Sequence, residues 1–452
     1  MRLLDGKIEV IFLMIAFVWG LITIFIVPPF QAPDENVHYL RAAGISEGSH
    51  ICKGDTLKVS TQYSDFVENM DVSRIAHHPN EKFSFDLLLK QQPSNNTGTT
   101  MVDMPLCYSL SLYHFIPAFF IFIGKLLNLE LLHSFYLCRI ASLLLAVILT
   151  TLSIKTAPFG KYLIFALSLL PMTIYQYSSV SYDALLIPII FLSISYTLSL
   201  YYKDSSLNLK EFSYLLVLYS LVSIIKPGYN FLLFIPLILF LRNYSTIKYS
   251  EIRRLFGFFS LLLLFNITLL YMQRLFLGTT VFAGRPTGQL GYILTHPLTF
   301  PLALIVTISH KIGVYLLGFI GILGWFDYPL SLWTYLLIIT GFLVFINLEG
   351  IHFKLPTRVR LIIVICSGLS SLAIFLAMYL LDTPIGNLLI TGVQGRYFIG
   401  LALPLGLSLF SYTSKFSLLL RKHKGTMFSV LALALLFIIA GTIFTTFKRY
   451  YF

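Results

Sequence analysis

The sequence predicts an all-α polytopic membrane protein, and three observations carry that expectation. Of its 452 residues 57% are hydrophobic and only 12% charged, whereas a soluble domain carries about 25% charged residues. Apolar runs of about 20 residues recur from end to end, each long enough to cross a bilayer as a helix. Lys and Arg collect in short loops between those runs, the pattern of cytoplasmic loops. That placement, rather than a basic face, accounts for the net charge of +12 and argues against nucleic acid as a partner.

The first run, Ile8–Val27, is too long for the apolar core of a signal peptide and lacks a small-residue cleavage site after it, so it is expected to remain as the first span. Five basic loops set the cytoplasmic side: Lys155 and Lys161; Lys203 and Lys210; Lys248, Arg253 and Arg254; Lys354, Arg358 and Arg360; and Lys415, Arg421, Lys422 and Lys424. Between them lie spans near 136–154, 162–179, 183–202, 212–226, 228–241, 255–272, 330–347, 361–381, 397–413 and 427–446, about eleven crossings with the first. Two further apolar segments, 106–124 and 298–323, break the alternation of sides if both cross. The first holds Pro117 and the second His310 and Lys311 mid-run, so both are expected as re-entrant or interfacial helices. Pro and Gly end helices, so Lys226-Pro227-Gly228 reads as a tight external turn.

The chain thus reads as a single integral membrane domain, 1–452, with one long extracytoplasmic loop at 28–105. Within that loop a short interfacial helix is expected at about 33–46, where Val37, Leu40 and Ile45 share a face. Of the four cysteines, Cys138 and Cys366 lie in apolar runs; Cys52 and Cys107 lie in or beside the long loop. A disulfide is open to that second pair if the loop is extracytoplasmic.

With the sides set by the basic loops, Asp34, Glu35, His38, Asp183, Lys226, Arg285, Asp327 and Arg396 all fall at extracytoplasmic span ends or in extracytoplasmic loops. Polar groups converging on one membrane face point to one site. Asp34 and Glu35, in "APDENVHYLRAAGIS", are the candidate catalytic acids, because a carboxylate at the water–lipid boundary can reach a hydroxyl from one side and a lipid-linked group from the other. His38, Arg41, Asp183, Lys226, Arg285, Asp327 and Arg396 are the candidate substrate-binding residues; guanidinium suits bidentate contact with phosphate oxygens. Each has a plainer rival. Acids after a proline are how an ordinary helix starts, Asp183 fits a helix dipole, and an arginine at a span end can snorkel. The sequence holds no GxxxxGK[ST] loop, HExxH or CxxC, which leaves ATP-driven hydrolysis and zinc proteolysis without support.

The stretches "PPFQAPDENVH", "LLPMTIYQYSSVSYDAL", "GFIGILGWFDYPL" and "VQGRYFIGLALP" together resemble a family of uncharacterised polytopic bacterial membrane proteins marked by PPFQxPDExxH, SxSxD, GWxD and QGRYF motifs. The wider architecture is similar to the GT-C superfamily of integral membrane glycosyltransferases, the serotype-converting O-antigen glucosyltransferases among them. That resemblance implies a catalytic acid in the first external loop, where Asp34 and Glu35 stand. It implies a polyprenyl-phosphate sugar as donor, a lipid-linked or surface glycan such as O-antigen or wall polymer as acceptor, membrane lipids as surroundings, and transfer with inversion at the periplasmic face of the bacterial inner membrane. Because the two acids are adjacent rather than spaced as D-x-D, no cofactor or metal ligand is assigned and a divalent metal stays open. The rival classes are a lipid or polysaccharide transporter or flippase, and an O-antigen polymerase or ligase. A transporter would show paired broken-helix halves, which the sequence lacks.

Overall fold

The computed structural model describes residues 7–49, 52, 56–89, 98–104, 112–241, 249–277, 285–348, 355–409 and 423–452. Lys248, Lys354, Lys415, Arg421, Lys422 and Cys107, used above, lie outside the described residues, as do the side chains of Arg285 and Lys424.

The described chain is mostly helical. In order it forms α1 (Ile8–Ile26), α2 (Glu35–Ser46), α3 (Phe115–Leu126), α4 (Leu131–Thr156), α5 (Lys161–Ser168), α6 (Pro171–Tyr177), α7 (Asp183–Tyr201) and α8 (Leu209–Ile225). A 3-10 segment, Pro227–Leu241, leads to α9 (Tyr249–Leu277), α10 (Arg285–Thr295), α11 (Thr299–Ile320), α12 (Leu332–Leu348) and α13 (Thr357–Leu381). A second 3-10 turn, Gly395–Phe398, runs into α14 (Ile399–Leu409), and α15 (Lys424–Tyr451) closes the chain. Among the described residues six helices are long and apolar enough to cross a membrane: α1, α4, α7, α11, α13 and α15.

Two expectations change. The segment 298–323 was expected as a re-entrant or interfacial helix, yet α11 is a continuous apolar helix of 22 residues, which at 1.5 Å per residue is long enough to cross a hydrocarbon core of about 30 Å. His310 is no obstacle, because it lies at the protein exterior with its ring bonded to the Val306 carbonyl one turn back. The span expected at 162–179 is instead divided into α5 and α6, because Pro171 takes the first position of a new helix after Leu170 turns extended, as proline at N1 requires.

The core is built around α7, nearly all of it buried, which packs on α4 as α4 packs on α1. Gly20 lets α1 and α4 approach closely, since a methyl group there would strike Leu143, the small-residue contact common between membrane helices. The long first loop is a folded cap. It contains α2, which packs on α3, and a two-stranded antiparallel sheet, β1 (Thr56–Ser60) and β2 (Thr99–Asp103), with Thr56 opposite Asp103. A hairpin of β3 (Ile322–Leu323) and β4 (Tyr328–Pro329) carries Trp325 and Phe326 back to the cap. The indole N–H of Trp325 donates to the Phe30 carbonyl at 3.2 Å.

Candidate functional site

The turn between α1 and α2 is where the two acids part company. Phe30 and Asp34 both take the left-handed backbone conformation, with φ of 62° and 65°, uncommon for residues with a side chain. The second of these kinks sends the neighbouring side chains in different directions.

Glu35 turns inward and is fully buried. Its carboxylate accepts from Arg139 Nε at 2.9 Å and Arg139 Nη2 at 2.6 Å, from the Val180 N–H at 2.9 Å and from the Phe30 N–H at 3.1 Å. Arg139, on α4, spends its remaining donors on the carbonyls of Ile24, Val27 and Pro28 at 2.6–2.9 Å. Both charges are thus paired and hydrogen-bonded, the condition under which a buried ion pair is tolerated. The pair stitches together the end of α1, the start of α2, α4 and the loop before α7.

Asp34 turns outward. It precedes α2 without capping it through its side chain, so the ordinary helix-start explanation does not account for its carboxylate. Its side chain is 42% exposed and bonds Arg396 Nη2 at 2.7 Å, while Arg396 itself is only 2% exposed. Arg396 also donates to Gln176 Oε1 at 3.0 Å, and its Nε lies 3.6 Å from Asp183 Oδ2. The guanidinium is covered by the Phe326 and Tyr397 rings, each centroid 5.6 Å away. Gly395 is what allows this placement: any side chain there would collide with the backbone of α11 at Tyr315, Gly318 and Phe319.

Lys226 completes the cluster from the end of α8. Its ammonium stands 3.5 Å from the Tyr397 ring centroid and 4.9 Å from that of Tyr182, a cation–π arrangement. His38, one turn along α2 from Asp34, bonds His114 ring to ring at 2.8 Å and meets Tyr182 edge to face. Burial pushes the His38 imidazole down from 6.5 to about 3, with Asp34 opposing the shift and Arg396 and Lys226 adding to it. The ring is therefore neutral at ordinary pH.

Asp34, His38, Asp183, Lys226 and Arg396 thus come together, while other candidates go elsewhere. Asp327 pairs with Arg449 of α15 at 2.5 Å, and Arg449 gathers the carbonyls of Ile75, His78 and Glu81 as well. Arg41 is buried and donates to the sulfur of Cys52 at 2.9 Å; Cys52 is disulfide-bonded. Arg285 opens α10. Among the described residues no three His, Cys, Asp or Glu side chains converge as a metal-ligand set. An apolar cavity of about 650 Å³ lies between α1, α5, α12 and α15 and is lined by no charged residue.

Residues that sequence reasoning passed over complete the cluster: Gln176 on Arg396, Tyr182 and Tyr397 on Lys226, and His114 on His38. Three of the four stand inside the motifs "YQYSSVSYD" and "QGRYF", where only the charged letters had been weighed. Arg139, the partner of Glu35, was not among the candidate site residues.

The long apolar helices and the polar cluster at their ends define a polytopic membrane protein. A family model described as "Predicted membrane protein (DUF2142)" matches residues 17–405, and the chain belongs to that family. No curated protein and no solved structure matches the chain.

Proposed function

We propose that the protein is an integral membrane glycosyltransferase that moves a sugar from a polyprenyl-phosphate carrier to a surface-glycan acceptor at the extracytoplasmic face. The observation that carries this reading is the Asp34–Arg396 pair, a water-accessible carboxylate against a buried guanidinium. The resemblance to GT-C enzymes supports it by the position of the acid just after the first span. The disulfide at Cys52 supports an extracytoplasmic cap, since such bonds persist in oxidising compartments.

In this reading Asp34 is the general base, and Glu35 is a positioning residue because every direction around its carboxylate is already taken by a donor. The acceptor hydroxyl gives its proton to Asp34. Its oxygen forms a bond to the anomeric carbon from the face opposite the carrier, and the bond from that carbon to the phosphate oxygen breaks. The phosphate leaves with the electron pair and gains a negative charge. Protonation of Asp34 removes the anion that holds Arg396, so the guanidinium becomes free to stabilise the departing phosphate as its charge develops.

The test uses purified protein in detergent with a panel of polyprenyl-phosphate sugars labelled in the sugar, supplied with envelope glycan acceptor. Label recovered in the glycan is the expected result. Labelled donor that crosses proteoliposome bilayers without forming any glycan product would replace the transferase with a flippase, and label transferred only from pyrophosphate-linked donors would replace it with a polymerase or ligase.

A further inference from the structure

The mechanism above uses Asp34 and Arg396 and leaves the inner half of the cluster without a task. Three charged atoms there are buried and lack a hydrogen-bond partner among the described residues: Lys226 Nζ, Arg396 Nε and Asp183 Oδ2. An ammonium has three donors and no acceptor, and burying it without an acceptor is costly. The tyrosine rings around Lys226 compensate its charge but leave its N–H groups unused. Arg396 Nε and Asp183 Oδ2, at 3.6 Å, form an ion pair without a hydrogen bond. Native proteins seldom leave one such group unsatisfied. Three in one cluster, Lys226 and Arg396 against the Tyr397 ring and Asp183 beside Arg396, mark a place prepared for something else.

The donors and the acceptor specify its chemistry. Lys226 and Arg396 face the same tyrosine ring at 3.5 and 5.6 Å and offer cationic N–H groups, which suit an oxyanion. Asp183 Oδ2 offers an acceptor, which suits a hydroxyl. We infer that Lys226, Arg396 Nε and Asp183 form a subsite for a hydroxylated oxyanion, either a sugar bearing a carboxylate or a sugar joined to phosphate. The inference deepens the transferase reading and rests on it only in assigning that anion to the donor substrate. The subsite lies inward of Asp34, so the anion docks on the side of the cluster away from the base.

The experiment is a binding measurement and needs no turnover. Purified full-length protein in detergent is titrated with D-glucuronate, inorganic phosphate and D-glucose, with thermal unfolding and calorimetry as readouts. Saturable stabilisation by glucuronate or by phosphate is expected, with glucose inert. Preference for glucuronate assigns the anion to the sugar, and preference for phosphate assigns it to the carrier linkage. Lys226→Met should weaken anion binding by about ten- to a hundredfold, the loss of a charge-assisted hydrogen bond. Lys226→Arg, which keeps the charge, should weaken it less, and Asp183→Asn should abolish any advantage of glucuronate over phosphate. Glucose binding as well as the anions, no anion binding at all, or unchanged anion affinity in folded Lys226→Met protein would each overturn the inference. Anion binding without sugar transfer in any donor assay would leave the subsite standing and remove the transferase, so the two failures are distinguishable.

Discussion

Glu35 and Asp34 are neighbours in the chain and opposites in the fold. Around Glu35 every charge is answered: two guanidinium contacts, two peptide N–H groups, and a guanidinium that also caps three carbonyls. Around Asp34 the accounts stay open, with the carboxylate half in water and three charged atoms behind it that make no hydrogen bond among the described residues. The contrast separates a knot that holds backbone segments together from a cluster arranged to meet a substrate. Charge density alone does not mark a site, because both regions are charged and partly or wholly buried. Unmet hydrogen-bonding capacity separates these two regions.

The largest expected effect lies in the knot. Glu35→Gln or Arg139→Met leaves a buried charge without its partner, so each should destabilise the fold by about 3–5 kcal/mol, read as a lowered Tm in detergent or as loss of the monodisperse species on size exclusion. Joining the two substitutions should recover part of that loss, because a neutral pair buries no charge. A Glu35→Gln protein as stable as wild type would erase the distinction drawn here.

The Asp327–Arg449 pair offers a second knot, which ties α15 to the cap. Asp327→Asn should lower stability by about 1.5–3 kcal/mol, the range of a hydrogen bond to a charged group, while leaving anion binding at Lys226 unaltered. Weaker anion binding in a folded Asp327→Asn protein would mean that the two regions communicate.

The gentlest effect, spread over several pH units, is a pH dependence. Burial holds His38 near 3 against 6.5 in the unfolded chain, so between those values the unfolded state carries a proton that the folded state lacks. The stability contributed by the neutral ring is present above pH 6.5 and is lost as pH falls toward 3, at about 1.4 kcal/mol per pH unit. His38→Gln should flatten that slope of unfolding free energy against pH. An unchanged slope would show that the ring is not held neutral.

Much of this was legible from the letters alone. Long apolar runs announced the membrane helices, and the loop-charge pattern grouped Asp34, Asp183, Lys226 and Arg396, which the fold brings together. What could not be read depends on distant pairing. Arg139 sits mid-helix, and nothing local says that it will meet a glutamate more than 100 residues earlier. Asp327 and Arg449 are likewise joined only by the path of α15. The left-handed turn at Asp34, which sends two adjacent acids to different environments, has no signature in "PDEN", since glycine is the residue that usually marks such a conformation. The division of 162–179 was the exception, because Pro171 was visible and was passed over.

The most direct test of the central claim measures transfer and stability together in Asp34→Asn protein. Arg396 is buried but keeps its Gln176 bond and the nearby Asp183 carboxylate, so stability should fall by about 1.5–3 kcal/mol, the range of one hydrogen bond to a charged group. Sugar transfer should fall by about 10²–10⁴-fold with the loss of a general base. Transfer at the wild-type rate by folded Asp34→Asn protein would contradict the account.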